Sequence, residues 1–226
     1  MTVDTAGSPT DLLEVDDDAD LIEVLASLGW GDGLPVVAPT PERVEAMLAG
    51  CSGRDPEEVV ANLPPRFGQA TRLAIAVNAV MAGCLPDHLP VLVSAVRALA
   101  HTDLNLRGVN ATTHCVAPLL VVHGEVVRSA GYHGGLGAFG PGSRANATTG
   151  RALRLILLHV AGATPGDGDA STQGGPAKYG FCVAENLEAS PWTGYAASVG
   201  VDAPSAVTIH CGEAPHNVHD MESSAP

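Results

Sequence analysis

The segment KYGFCVAENLEASPW brings Lys178, Tyr179, Cys182, Glu185, Asn186, Glu188 and Trp192 together within fifteen residues. Read as a strand over 178–184, it puts Lys178, Gly180, Cys182 and Ala184 on one face and Tyr179, Phe181 and Val183 on the other. Glu185 and Asn186 then fall at the strand end, where reactive groups tend to collect. A carboxylate beside apolar aromatic surface has its pKa raised toward neutrality and can act as acid or base. Glu185 is therefore the expected catalytic group, assisted by Asn186 and His114, with Cys84 and Cys182 as candidate thiols. The plainer alternative is a strand ending in a polar turn, with Cys182 a small core hydrophobe.

A second stretch, GAFGPGSRANATTGRALRLILLHV at 137–160, places glycines before a helix that Ser143 would cap. Leu153, Ile156, Leu157 and Val160 recur at the spacing of an inward face. A helix start presents free N–H groups and about half a positive charge, which suits a carboxylate or phosphate. Ser143, Arg144, Asn146 and Arg151, with Asp32 of GWGDGLP and Trp192, are the expected binding residues for a small anionic metabolite. Ordinary capping with solvent-facing arginines is the alternative. The formal GxGxxG at 135–140 lacks a feeding strand and the acid that ribose recognition needs about 20 residues further on, so no dinucleotide site is expected.

Histidine and cysteine raise a third chemistry. His114, Cys115, His123 and His133 combine imidazole and sulfur, a donor set suited to zinc or copper. Adjacent strand residues point to opposite faces, so at most one of His114 and Cys115 serves a given site. His210, Cys211, His216 and His219 form another loose group, and no CxxC or HExxH fixes either spacing. The cofactor expectation is thus none, or one zinc or copper ion.

These groups must be held by 226 residues with 46% hydrophobic and 16% charged content, enough for one folded body with a real core. A net charge of −14 speaks against a nucleic-acid or anionic-membrane partner. Six acids fall in residues 11–20, so 1–17 reads as an acidic leader, 18–219 as a single domain and 220–226 as a tail. No secretory or membrane segment is expected, and five cysteines without regular spacing favour reduced thiols in a cytoplasm. The apolar helices suggest a homo-oligomer.

Helices are expected over ADLIEVLASLGW, over TPERVEAMLAG with Thr40 as N-cap and Pro41 first, over DPEEVVANL, and over GQATRLAIAVNAVMAGC ending at Gly83. Another covers LPVLVSAVRALA, pairing with its predecessor as a hairpin. Strands are expected over LNLRGVNATT, APLLVVHG, EVVRSAG, KYGFCVAEN and SAVTIHCGE, with the long helix of 143–160 among them. The order gives an α+β fold: an N-terminal helical half packed on a C-terminal mixed or antiparallel sheet half.

Four segments, GWGDGLPVVAPTPERVEAML, AIAVNAVMAGCLP, GPGSRANATTGRALRLILLHVAGATPG and KYGFCVAENLEASPW, together resemble a bacterial family whose members stand alone or are joined to a UGSC or CGSC domain. The likeness runs from about residue 28 to 219, and no UGSC or CGSC segment is present. The resemblance implies a small-molecule enzyme, with a leaning toward thiol or redox chemistry and a separate CGSC- or UGSC-type protein as partner. In the family's pattern positions 115, 123, 133 and 159 are usually proline or asparagine; here they are Cys115, His123, His133 and His159. The expectation is a lyase-like acid/base or thiol-assisted enzyme of specialised metabolism. The alternatives are a zinc or copper enzyme using the His/Cys group, and a non-catalytic companion of a CGSC-type redox domain.

Overall fold

The structure, a computed structural model, describes residues 20–216 and 220–222. The expected leader, His219 and residues 223–226 of the expected tail lie outside the described residues. In chain order the helices are Leu21–Ser27 (α1), Pro41–Leu48 (α2), Arg72–Ala82 (α3), Leu89–Leu99 (α4), Leu106–Ala111 (α5), Glu125–Ser129 (α6), Arg144–His159 (α7) and Tyr195–Ser198 (α8). The strands are Val59–Leu63 (β1), Gly68–Thr71 (β2), Ala117–Gly124 (β3), Thr164–Pro165 (β4), Gly168–Asp169 (β5), Cys182–Ala184 (β6) and Ser205–Gly212 (β7).

The central sheet has the order β6-β3-β7, with β6 parallel and β7 antiparallel to β3. Its inner face carries Leu120, Val122, Cys182 and Ala184, joined by Val207 and Ile209, and lies against α4 and α7. α3 is almost wholly buried and packs chiefly on α7, with α2 and α4 on its other sides. The result is an α+β domain with helices layered on one face of a small mixed sheet. Among the described residues no helix is long and apolar enough to cross a membrane.

Local signals explain most elements. Thr40 Oγ1 accepts from Arg43 N at 3.5 Å and Pro41 opens α2; Thr71 caps α3, which stops at Gly83 with φ 87°. Ser143 Oγ accepts from Asn146 N at 3.2 Å at the start of α7.

Three expected elements change type. The helix expected over DPEEVVANL is the strand β1, hairpinned to β2 in the register Asn62↔Gln69. Its β-branched Val59 and Val60 lie just before Pro64 and Pro65, a span too short for a cooperative helix but long enough for a ladder. LNLRGVNATT, expected as a strand, forms α5 because Asn105, at φ 51°, folds its Oδ1 onto Gly108 N at 3.2 Å. EVVRSAG is α6 rather than a strand, since Gly124, at φ 83°, turns the chain out of β3 and Ser205 Oγ receives Val126 N at 3.0 Å. The strand expected from 178 shortens to 182–184, with Lys178 in a 3-10 turn.

Candidate functional site

β3 alternates as a strand should. Leu120 and Val122 face the helices, while Val121 and His123 share the outer face. Val121 lies opposite Thr208 of β7 and alongside Val183 of β6, so the outer face brings three strands to one place. Glu185 follows β6 directly and its amide donates to Val122 O at 2.9 Å. This sets the carboxylate beside the His123 ring.

His123 is 3% exposed, and both ring nitrogens have partners. Nδ1 is 2.7 Å from Glu185 Oε2 and Nε2 is 2.9 Å from Thr208 Oγ1. Tyr195 of α8 stacks on the imidazole with ring centroids 6.0 Å apart, and its amide donates to Glu185 Oε1 at 2.6 Å. Burial pushes the Glu185 carboxyl upward, but the Tyr195 amide and the His123 ring outweigh it, and its pKa lies below the ordinary carboxylate value. The expected rise toward neutrality is thus reversed, because hydrogen bonds to the charged form win.

An ionised Glu185 dictates the tautomer. A carboxylate only accepts, so Nδ1 carries the proton in the neutral ring and Nε2 is left as an acceptor. The Thr208 hydroxyl then donates to Nε2. The three side chains form one directed line: hydroxyl to imidazole to carboxylate.

At the Glu185 end of this line lies an open cleft of about 860 Å³, bounded by Gly124, Glu125, Arg128, His133, Glu185 and Asn186 among others. Arg128 is the only Arg or Lys among its described lining residues. A neighbouring apolar hollow of about 760 Å³ shares Gly134, Gly135 and Asn186 with it and reaches Leu136 and Phe139. Gly134 is required here: a Cβ on it would collide with Ala184 O.

Asn146 fixes this wall. Its Oδ1 accepts from His133 N at 3.0 Å, and its Nδ2 donates to His133 O at 2.7 Å and Ala138 O at 3.1 Å. Asn146 is therefore a clamp for the glycine segment, not a ligand donor, and Ser143 is its cap.

The cationic cradle expected before α7 does not form. Arg144 directs Nε and Nη2 to Gly83 O at 3.0 and 2.8 Å, closing the C-terminus of α3. Arg151 makes a two-pronged pair with Asp32 at 2.8 Å and also donates to Leu34 O and Pro35 O. Asp32, which accepts from Leu34 N as well, is a loop anchor. Trp192 is 80% exposed and borders neither hollow.

The other expected groups are dispersed. His114 lies at the surface 3.4 Å from Glu213, His133 Nε2 bonds Leu136 O at 3.0 Å, and Cys115 lies beside Gly175. With His123 enclosed by Glu185 and Thr208, no three His, Cys, Asp or Glu side chains among the described residues are disposed to hold a metal ion. Cys84 and Cys182 are buried; burial pushes the Cys84 thiol up to about 11 and the Cys182 thiol higher still, so neither provides thiolate. Asn186 lines the cleft, its Oδ1 accepting from Ala189 N at 3.3 Å.

Thr208, Tyr195 and Arg128 are absent from the sequence-derived set, and His123 enters it only as a metal ligand. Thr208 carries a faint signal, sharing a strand face with Ala206 and His210, but the register that brings it to β3 has none. The chain matches no family model, no curated protein and no solved structure.

Proposed function

We propose that the protein is an enzyme that moves a proton on a small carboxylated or otherwise anionic metabolite, a lyase-type reaction. The observation that carries this reading is the His123 imidazole, buried between an ionised carboxylate and a hydroxyl at 2.7 and 2.9 Å, with the carboxylate bordering an open cleft. A buried ring with its tautomer fixed is an oriented base, and oriented general bases contribute roughly 10²–10⁴ in rate. Glu185, with both oxygens engaged, fixes the orientation and tautomer of the ring. Thr208, on a partly exposed strand, passes the proton between substrate and Nε2. Arg128 takes the anion-holding role that the sequence suggests for Arg144.

The likeness to the UGSC-associated family accords with a small-molecule enzyme. His123 stands where that family's pattern has asparagine or proline, so the proton-handling line would be a specialisation of this chain. The reading is tested by incubating the purified protein in D₂O with a panel of 2- and 3-substituted carboxylic acids. NMR then follows carbon-bound hydrogen exchange and elimination. The expected result is exchange or turnover of at least one member by the native chain, lowered by roughly 100-fold or more in His123→Gln. Equal rates in native chain and variant, or none in either, would overturn it.

A further inference from the structure

We infer that Thr208 is a nucleophile and that this site takes acyl compounds, esters or thioesters of small acids. The inference rests on the proton-handling reading of His123 and extends it from proton transfer to bond formation.

The geometry is that of an activated hydroxyl. A hydroxyl becomes a nucleophile when an adjacent base takes its proton and a third group orients that base. Here the hydroxyl is Thr208 Oγ1, 2.9 Å from His123 Nε2, and the third group is Glu185, 2.7 Å from Nδ1. The carboxylate is itself held by the Tyr195 amide at 2.6 Å, and the Tyr195 ring covers the imidazole. Each member is thus positioned by the next, and the hydroxyl, on the half-buried strand β7, ends the line opposite Glu185. Thr208 belongs to β7, which among the described residues ends the sheet order and pairs with β3 alone. An edge strand presents unpaired backbone N–H groups, the donors that a developing oxyanion needs.

The chemistry balances with water as the second reactant. Thr208 Oγ attacks the acyl carbon, forming a C–O bond while its proton passes to His123 Nε2. Collapse breaks the bond to the leaving alkoxide or thiolate, which departs with that proton. Water then attacks the acyl-threonine ester, gives a proton to Nε2, and releases the acid as Thr208 regains its hydrogen. Nothing is oxidised or reduced.

The test uses the full chain with 4-nitrophenyl acetate, monitored by nitrophenolate release and by peptide mass mapping of the acetyl group. We expect an acetyl group on residue 208 in the native chain and in Thr208→Ser, and none in Thr208→Val or His123→Gln. In Glu185→Gln acetylation should slow by roughly 100-fold. Thr208→Ser keeps the hydroxyl and decides the matter if the valine variant does not fold. Acetyl groups confined to lysines, or acetylation of Thr208 undiminished in His123→Gln, overturn the inference. If residue 208 is never acetylated while His123→Gln still abolishes proton exchange, the nucleophile fails and the acid–base reading stands. If His123→Gln changes neither activity, both fail.

Discussion

Replacing Arg151 with methionine tests whether its role is structural. Its side chain is 17% exposed and that of Asp32 4%, and the guanidinium serves both Asp32 oxygens together with Leu34 O and Pro35 O. Methionine keeps the apolar stem but leaves a buried carboxylate without its counter-charge. Removing one partner of such a pair costs about 3–5 kcal/mol, because the remaining charge is uncompensated. With a urea slope of about 2.5 kcal/mol per molar for a chain of this size, the midpoint should fall by about 1–2 M. Arg151→Lys should lie between, since an ammonium cannot reproduce the fork.

The penalty should also depend on pH in a defined direction. Burial raises the Asp32 pKa, but Arg151 and the Leu34 amide outweigh it, leaving the value below the ordinary 3.8. In the native chain the pair therefore contributes fully above pH 3.8 and is lost as pH falls through the lower folded value. In Arg151→Met burial dominates, the folded pKa rises above the unfolded one, and protonation stabilises the variant. The difference between the two proteins should shrink as pH is lowered from 7 toward 4. A midpoint shift equivalent to less than about 1 kcal/mol at pH 7, or a penalty that does not change with pH, would refute the reasoning.

Two further expectations follow from the packing. Cys51 and Cys115, partly exposed, should react readily with a disulfide reagent in the native state, whereas Cys84 and Cys182 should react only on unfolding; native-state labelling of Cys182 would contradict its place in the core. Asn146→Ala removes the clamp on His133 and Ala138, and should cost about 1–3 kcal/mol while making residues 133–142 a preferred site of limited proteolysis, as read by denaturation and cleavage mapping.

The elements that show in the sequence are those whose signals are local. Thr40 with Pro41, Thr71 with Gly83, and Ser143 before an apolar stripe each fix a helix boundary through backbone chemistry within one turn. β1 and α5 do not show, because the hairpin to β2 and the inward fold of Asn105 settle them against weak propensities. The same division governs the site. Glu185 is legible as a polar group ending a strand, but the rest of the site comes from β3, α8 and β7, sixty-two, ten and twenty-three residues away in the chain. Arg144 and Arg151 mislead for the same reason: helix geometry shows where they start, not the distant Gly83 and Asp32 on which they end.

The three arginines of α7 tie it to its surroundings through side-chain hydrogen bonds. Arg144 fastens the end of α3, Arg151 the 32–35 loop, and Arg154 both Ala163 O and buried Asp169. The end of α3, the 32–35 loop and the 163–169 segment thus hang from a single rod as from one rivet line. Loosening that rod frees them together, so amide hydrogens in these loops should exchange with solvent in step with global unfolding rather than at the pace of ordinary surface turns.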